Sequence, residues 1–550
     1  MLIVGGYGVF GRKLAHLLSK TSRFDVLIAG RSIKKAEAAC REIGATPVQI
    51  DITASGLEKH LNTLDPFIVV DAAGPFQAYG QSGASYRLAK ACIACGAHYL
   101  DFSDDAAFTR DISSLHETAQ SAQVSVLSGV SSVPAISSSI VAHLANDIDD
   151  IHLIDTAILP GNKAPRGLSV VQAIVGQAGR KMRIWSARKW QNVKGWSGRK
   201  SVSLDVPGTA PLKNRWASFI GAPDLVLFPD YFKARSVQFR AGLDLKIMHG
   251  GLALISLPVR WGWLNSIQAL SPLLKWIADR LERLGSDRGG MQVCVVGTQP
   301  SGAAQLHKWT LIAENGDGPF IPAIPAKILC EKLLDGSIMP GARPGLDLFT
   351  KVEVENALSA LGIKTHTTHT SLKPLFAASL ADDVKGLPEA LQNLHCVLHT
   401  RRWIGKGSVE RGSGILSRLC GFFAGLPPAT EQTDVEVLMT RTPKGETWRR
   451  TFGTRSFCSY LSKKSGARDG MISERFGLLS FAIRLTAEND ALYFPIVSGT
   501  CFGVPLPGFL LPHSKTREFV DAQGRACFDV SISLPIAGHV ASYKGWLQEA

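Results

Sequence analysis

Residues 1–11 read MLIVGGYGVFG, and this stretch decides the fold of the first part of the chain. The apolar run Leu2–Val4 predicts a short buried strand, and the glycines that follow match G-x-G-x-x-G ahead of a helical stretch over Arg12–Ser19. The first glycine permits a tight turn, the second lets a pyrophosphate approach the backbone, and the third lets helix and strand pack closely. Free N–H groups at the start of the helix favour an anion. The pattern predicts a dinucleotide-binding turn made of Gly6, Tyr7, Gly8, Val9, Phe10 and Gly11.

Short apolar runs alternate with amphipathic stretches up to about residue 135. This alternation is typical of an α/β domain with a doubly wound parallel sheet, the Rossmann architecture, with helices on both faces. The predicted helices include Arg12–Ser19, Lys34–Glu42 and Tyr86–Cys95. The predicted strands are Leu2–Val4, Val26–Ala29, Pro47–Ile50, Ile68–Asp71, His98–Phe102 and Val124–Leu127.

The end of the second predicted strand indicates which nicotinamide coenzyme would bind. An NAD site has an acid there, whereas this chain has Arg31 followed by Ser32. A guanidinium and a hydroxyl suit a 2′-phosphate, so NADP(H) is the predicted cofactor. The alternative is that Arg31 is a solvated turn residue. Further along, Asp51 and Ile52 either flank an adenine or form a turn, and the small residues Ala73, Gly74 and Pro75 would let the cofactor lie across the strand ends.

The positive charge of the 550-residue chain is concentrated in one segment. Lys and Arg number 60 against 46 Asp and Glu, and residues 163–240 alone hold 15 cations against three acids. The segment contains no recognised nucleic-acid-binding module, so we predict no nucleic-acid partner. Trp185, Trp190, Trp196 and Trp216 interleave with the cations, and an apolar stretch runs on to residue 278. A peripheral membrane contact through residues 180–278 is one interpretation, and a cleft for an anionic or lipid-like small molecule, or a solvated face, is the other.

Composition changes divide the chain into three predicted domains. Residues 1–135 form the dinucleotide-binding domain, and residues 136–365 form an α/β substrate and dimerisation domain whose stretch 322–340 could pack back on the first. A polar linker is expected over 359–371. Residues 372–550 read as a β-rich domain, either a sandwich or a half-barrel.

Sparse cysteines and the opening residues indicate a reducing compartment. Ten cysteines without a spacing pattern do not suggest disulfides. Met1 is followed by apolar residues and glycines, without the basic region of a signal peptide. Both features predict a cytoplasmic protein, and peripheral membrane association stays open. His366 and His369 lack acids at useful spacing, and Cys92 and Cys95 have no second ligand pair, so no metal site is predicted.

Five stretches of the first 365 residues together resemble the saccharopine dehydrogenase-like (saccharopine reductase-like) oxidoreductases. The resemblance implies a Rossmann NADP-binding domain followed by an α/β domain with the substrate cleft and often a homodimer contact. One departure is Ser131, where saccharopine reductases carry an aspartate, and it counts against saccharopine as the substrate. The matching stretches are residues 6–11, 29–32, 70–76, 96–101 and 129–134.

The C-terminal 180 residues resemble an uncharacterised bacterial domain that is often fused behind such reductases, which implies no activity. The matching stretches are residues 405–412, 448–450, 474–477, 503–507 and 543–546. In this part, Glu410 with Arg411, Arg449 with Arg450, and Glu474 with Arg475 either line a pocket or form salt bridges, and salt bridges are the favoured interpretation.

Hydride transfer requires a placed nicotinamide and a proton donor at the carboxyl ends of the strands. No residue is an unambiguous donor, and the candidates are His98, Tyr99 and Asp101, with Tyr79 after the fourth strand. We therefore expect an NADP(H)-dependent oxidoreductase acting on an unknown carbonyl, imine or enoyl compound. The alternative is a non-catalytic protein that senses a nucleotide or binds a lipid or protein partner on the same scaffold.

Overall fold

The computed structural model describes residues 1–79, 85–423, 426–464 and 470–550. The chain divides into two compact units, one made of residues 1–295 and 307–369 and the other of residues 296–306 and 370–550. Two sheets, of seven and nine strands, account for the first unit, and a sheet of thirteen strands dominates the second.

The first sheet has the predicted doubly wound order, β3-β2-β1-β4-β5-β6, and its neighbouring strands are parallel. Alternate residues face two different cores: Ile3 and Val70 lie in one, and Leu2 and Val69 in the other. Burial of both faces explains why the strands read as unbroken apolar runs. The elements are β1 Leu2–Val4, α1 Val9–Ser19, β2 Leu27–Gly30, α2 Ile33–Ile43, β3 Thr46–Gln49, α3 Leu57–Leu64, β4 Ile68–Asp71, α4 Arg87–Ala94, β5 His98–Asp101, α5 Ala106–Asp111, α6 His116–Ser121, β6 Ser125–Ser128 and α7 Ser137–Leu144.

The second sheet is mixed, as expected for an α/β domain, because β12 pairs in parallel with β7 and antiparallel with β11. Its order is β10-β11-β12-β7-β13-β14-β16, and the hairpin β8–β9 joins it at β12. The elements are β7 Asp150–Leu159, α8 Leu168–Gln177, β8 Lys181–Ser186, β9 Lys189–Lys194, β10 Lys200–Leu204, β11 Leu212–Phe219, α9 Asp224–Tyr231, β12 Val237–Gly242, α10 Lys246–Ile255, α11 Leu257–Trp261, α12 Ser271–Arg280, β13 Gly289–Thr298, β14 Ala304–Ala313, α13 Ile324–Leu334, β15 Gly341–Pro344, α14 Lys351–Leu358 and β16 Ile363–Ser371.

The chain returns to the first sheet after β14. Helix α13 packs against α1. Strand β15 then pairs in parallel with β6 and becomes the seventh strand of the first sheet. The first sheet is therefore completed by residues that lie more than 200 positions beyond β6.

The polar linker predicted over 359–371 is wrong. Residues 363–371 form β16, the last strand in the order of the second sheet. An edge strand with a solvated side tolerates polar residues, and the β-branched threonines of this stretch suit an extended backbone. Polarity alone was therefore a poor sign of a linker.

The second unit is built on one continuous antiparallel sheet of thirteen strands, which confirms the β-rich fold expected for this part of the chain. Trp403, Val437 and Trp448 share its core with Phe376 of α15, whose ring stacks on His395 with centroids 3.8 Å apart. The elements are α15 Leu375–Leu380, α16 Glu389–Leu394, β17 Thr400–Arg411, α17 Ile415–Phe423, β18 Thr430–Thr442, β19 Gly445–Phe452, β20 Arg455–Lys463, β21 Met471–Phe476, β22 Leu479–Arg484, β23 Thr486–Glu488, β24 Ala491–Tyr493, β25 Ile496–Cys501, β26 Val504–Pro505, β27 His513–Val520, β28 Ala526–Leu534 and β29 Gly538–Glu549.

Candidate functional site at the carboxyl edge of the first sheet

The glycine turn between β1 and α1 is closed by backbone contacts that leave no room for side chains. The Gly8 N–H donates to the Gly5 carbonyl at 2.8 Å. A Cβ placed on Gly6 would lie 2.8 Å from the Ile3 carbonyl oxygen, and one on Gly11 would lie 2.6 Å from that of Gly5. Gly8 is the N-cap of α1 and supplies no side chain to cap it. The N–H groups of the first helical turn therefore donate no hydrogen bond to a capping side chain. Uncapped N–H groups at the start of a helix suit an anionic group.

Arg31 and Ser32 follow the end of β2, one strand away from the glycine turn. The Arg31 side chain is exposed. Ser32 is the N-cap of α2, and its hydroxyl makes no capping hydrogen bond. The Tyr7 ring occupies the position that a side chain on Gly30 would need, which brings the turn and the end of β2 into contact. Arg31 and Ser32 therefore follow directly on the point where the end of β2 contacts the glycine turn.

Asp51 takes the turn-forming role that the sequence analysis left open. Its Oδ1 accepts hydrogen bonds from the Thr53 N–H at 2.9 Å and the Thr53 hydroxyl at 2.7 Å. These bonds lower the pKa of Asp51, and the Arg31 and Arg87 guanidinium groups lower it further. Asp51 is therefore an exposed carboxylate that orders the chain after β3, and Ile52 packs on the core beneath.

The loop after β4 closes against the glycine turn. A Cβ on Gly5 would lie 2.8 Å from the Ala72 carbonyl oxygen, so the two strand ends approach closely. Asp71 holds this loop, because its Oδ1 accepts from the Ala73 N–H at 2.9 Å and its Oδ2 accepts from the Tyr79 hydroxyl at 3.1 Å. Ala73, Gly74 and Pro75 follow as the small residues at this strand end, which is also where the strand order reverses, between β1 and β4.

Two buried carboxyl groups lie side by side at the same edge. Asp71 and Asp101 are register partners on β4 and β5, and both are fully buried. Burial raises the pKa of Asp71 to about 6, opposed by hydrogen bonds from Ala73, Tyr79 and Tyr99. This pairing was missed by sequence analysis, because nothing in either strand alone indicates that its last residue will face another acid.

Asp101 has the stronger tendency to keep a proton. Burial raises its pKa to about 7, hydrogen bonds oppose the rise, and the Asp71 charge adds to it. Its Oδ1 accepts from the Ser103 N–H, the Gly129 N–H and the Ser128 hydroxyl at 2.8–2.9 Å. Its Oδ2 is buried without a hydrogen-bond partner among the residues that the structure describes. Burial of a carboxyl group favours its protonated form, so Asp101 keeps its proton to a higher pH than an exposed aspartate does.

His98 and Tyr99 are the first two residues of β5, and Asp101 is the last. His98 is the first residue of β5, at the amino end of the strand, and its Nδ1 accepts from the Ser125 N–H at 2.9 Å. Tyr99 is 1 % exposed and packs in the core on one face of the sheet, where it hydrogen-bonds Asp71. His98 therefore lies at the end of β5 opposite the edge at which a parallel sheet binds its ligand, and a catalytic role for Tyr99 stays a prediction.

Asp224 is a further buried acid that the sequence did not indicate. It begins α9 and is fully buried, and burial raises its pKa to about 7. In the sequence it reads as an ordinary first-turn acid of a helix. Its burial arises from the packing of α9 against β12 and α7, which local sequence does not specify.

Some cations of the basic segment form ion pairs with acids outside it. Arg235 contacts Asp150, and Arg240 and Lys200 both contact Asp155, each at 2.6 Å. Trp196 is buried and its indole N–H donates to the His249 carbonyl at 3.0 Å. Arg235, Arg240 and Trp196 therefore stabilise the fold, whereas Lys181, Arg183 and Arg199 are exposed, and the membrane contact through residues 180–278 stays a prediction.

The predicted salt bridges of the second unit are present in part. Arg450 contacts Glu474 at 3.2 Å and donates to the Ser459 hydroxyl at 2.8 Å. Arg411 donates to the Leu426 and Pro427 carbonyls. The favoured interpretation of these side chains, as internal pairs, fits the Arg450–Glu474 contact.

These features define the first sheet as a dinucleotide-binding domain of the Rossmann type. Residues 1–127 match the family model of the saccharopine dehydrogenase NADP binding domain. Residues 387–547 match a domain of unknown function, DUF4166. No curated protein matches the chain significantly in sequence.

Solved dehydrogenases and reductases show similarity over two thirds of the chain. Saccharopine dehydrogenase (L-Glu forming) from Saccharomyces cerevisiae is 15 % identical, with a TM-score of 0.46 over 67 % of this chain and 99 % of that one. A biliverdin reductase from Synechocystis, solved with biliverdin and NADP+, is 9 % identical, with a TM-score of 0.29 over 65 % and 95 %. A probable dehydrogenase from Thermotoga maritima is 10 % identical, with a TM-score of 0.31 over 65 % and 92 %. These values are too low to indicate a reaction for this chain.

Proposed function

We propose that the protein is an NADP(H)-dependent oxidoreductase of the saccharopine dehydrogenase type. The observation that carries the proposal combines two features. One is a turn whose glycine positions leave no room for a side chain, and the other is the exposed Arg31 at the end of the next strand. The turn suits a pyrophosphate, and Arg31 with Ser32 suits a 2′-phosphate. The family of residues 1–127 supports the same cofactor.

NADP(H), when bound, would supply the hydride. A carbonyl, imine or enoyl substrate also needs one proton for each hydride that it accepts. Among the candidates from the sequence, Asp101 combines a position at the carboxyl edge of the sheet with a pKa near neutrality. Asp71 and Tyr79 lie beside it and hold the loop that borders the cofactor groove. We assign the proton to the Oδ2 atom of Asp101 and the positioning of the loop to Asp71.

The test is NADPH oxidation by the full chain with a panel of 2-oxo acids, imines formed from 2-oxo acids and amino acids, and enoyl and 3-oxoacyl thioesters. We expect loss of NADPH absorbance with one class and a reduced product by mass spectrometry. Asp101→Asn should lower kcat and remove the ionisation near neutral pH from its pH profile, while NADPH binds as in wild type. Asp105→Asn, which removes an acid from the start of α5, is the matched control.

A second candidate function is a non-catalytic protein that senses a nucleotide. Ser131 favours it, because saccharopine reductases carry an acid at this position and here the residue has only a hydroxyl. NADPH binding without turnover on any substrate class would support this candidate and contradict the enzyme.

A further inference from the structure

Three short helices of the first unit turn apolar side chains outward. Ile247 is 76 % exposed, Trp263 73 % and Leu284 70 %, and all lie within one stretch of 38 residues. Large apolar side chains that are singly exposed are common, but a continuous group of them marks an interaction site. The outward apolar surface, as we call it, consists of Ile247, Leu254, Trp261, Trp263, Leu273, Trp276, Ile277 and Leu284.

Helical spacing places these side chains on shared faces. Ile247, Leu254 and Trp261 are seven residues apart along α10 and α11, which join at Ser256 with helical backbone angles. On α12, Leu273, Trp276 and Ile277 follow the i, i+3, i+4 spacing of one face. The buried residues of α12 are only Ser271 and Ala278. In α12 the large apolar side chains are exposed and the small residues are buried. A helix that packs on a protein core has the opposite arrangement.

Specific contacts hold the helices in this orientation. Arg260 donates to the Trp196 carbonyl at 2.6 Å, and Trp196 in turn donates to the His249 carbonyl in α10. Val259 packs so closely on Gly179 that a Cβ there would lie 2.8 Å from it. At the far end, Asn162 donates to the Leu281 carbonyl at 2.7 Å. The polar and small-residue contacts fix the inner side, so the apolar side stays outward.

Cations outnumber acids in the stretch that carries the outward apolar surface. Residues 246–284 hold five cationic and two acidic side chains. The Arg280 guanidinium lies 4.9 Å from the centre of the Trp276 ring, and the Trp261 and Trp263 rings are in contact at 4.9 Å. Tryptophan beside Lys and Arg is typical of the boundary between lipid headgroups and acyl chains. The charged residues are Lys246, Arg260, Lys275, Arg280, Arg283, Asp279 and Glu282.

We propose that the outward apolar surface docks the protein on a lipid bilayer that carries anionic headgroups. The three helices have ten, five and ten residues, whereas a spanning helix needs about 20, so they are suited to lie in the plane of the interface. Within the described residues, no helix is long and apolar enough to cross a bilayer. A second copy of the chain is a poorer occupant, because in a two-fold dimer this surface would place cations against cations.

The experiment is flotation of the full-length protein with vesicles of phosphatidylcholine alone and of phosphatidylcholine with phosphatidylglycerol, without NADPH. We expect flotation with the anionic vesicles that weakens as salt is raised. The triple variant Trp261→Ser/Trp263→Ser/Trp276→Ser should bind at least tenfold more weakly. The control Phe502→Ser/Phe509→Ser/Ile536→Ser changes three residues of the second unit with exposures of 70–74 % and should float as wild type does.

Three results would overturn the proposal. These are no flotation at low salt, equal flotation of the tryptophan variant and wild type, or a wild-type dimer in sedimentation that the tryptophan variant converts to monomer. The last result would identify the surface as a protein interface. Because the readout is independent of the coenzyme, failure here leaves the NADP(H) proposal intact.

Discussion

Asp101→Asn is expected to remove the part of the pH dependence of stability that comes from Asp101. Asp101 is fully buried, and its pKa rises from 3.8 to about 7 on folding. Between about pH 4 and pH 7, the folded protein holds a proton that the unfolded chain has released, so the free energy of unfolding falls as pH rises through this window. Below about pH 4 the burial of Asp101 does not lower the free energy of unfolding, and above about pH 7 it lowers this free energy by the full amount.

The size of the effect follows from the shift. About three pKa units at 1.36 kcal/mol each correspond to a loss on the order of 4 kcal/mol between pH 4 and pH 8. Asparagine keeps an oxygen to accept from Ser103, Ser128 and Gly129, so the variant should retain the turn after β6. The difference in unfolding free energy between the variant and wild type should therefore increase with pH and level off above about pH 7.

The assay is urea unfolding of the full chain at several pH values, followed by a hydrogen-exchange pulse at one fixed pH. Peptides that contain β4 and β5 report the first sheet separately from the second unit. Asp51→Asn is the control, because this exposed acid has a lowered pKa and should show no such increase. A constant difference between Asp101→Asn and wild type from pH 4 to pH 8 would refute the argument.

Two further predictions concern local packing. Gly11→Ala should weaken NADPH binding at least tenfold in a fluorescence titration, because the new Cβ would lie 2.6 Å from the Gly5 carbonyl oxygen. The control Gly251→Ala, whose Cβ would meet nothing within 4 Å, should bind NADPH as wild type does. Equal affinities of the two variants would argue against a tight turn. Thr350→Ala should lower the unfolding free energy of the first unit by about 1 kcal/mol, because Thr350 and Glu353 form a capping box on α14, and unchanged urea midpoints would contradict this.

The doubly wound sheet was predictable because each strand is buried on both faces. Such strands read as short apolar runs, and the helices between them carry a 3.6-residue pattern, so the six strands agree with prediction to within a residue or two. The glycine turn was predictable for a related reason, since steric limits at Gly6 and Gly11 act over a few neighbouring residues. Structural constraints that act between neighbouring residues can therefore be recognised in a short stretch of sequence.

Features that depend on distant residues were not predictable. The Asp71–Asp101 pair arises from the register of two strands separated by a helix. Arg235 and Arg240 of the basic segment pair with Asp150 and Asp155, which lie outside the segment in which the charge was counted. The hydropathy of α10–α12 indicated apolar helices but not that their apolar side faces outward, since Asn162 and Trp196, which anchor them, lie 50 to 120 residues away.

The central claim is tested most directly by calorimetric titration of the full chain with NADPH and NADH. Wild type should bind NADPH more tightly than NADH, and Arg31→Asp should reduce this preference at least tenfold, because a carboxylate would replace the guanidinium that we propose binds the 2′-phosphate. Arg41→Asp, the same charge change on the exposed side of α2, should keep the preference. Binding of neither coenzyme by the wild-type chain, or an equal preference for NADPH in Arg31→Asp and wild type, would contradict the account.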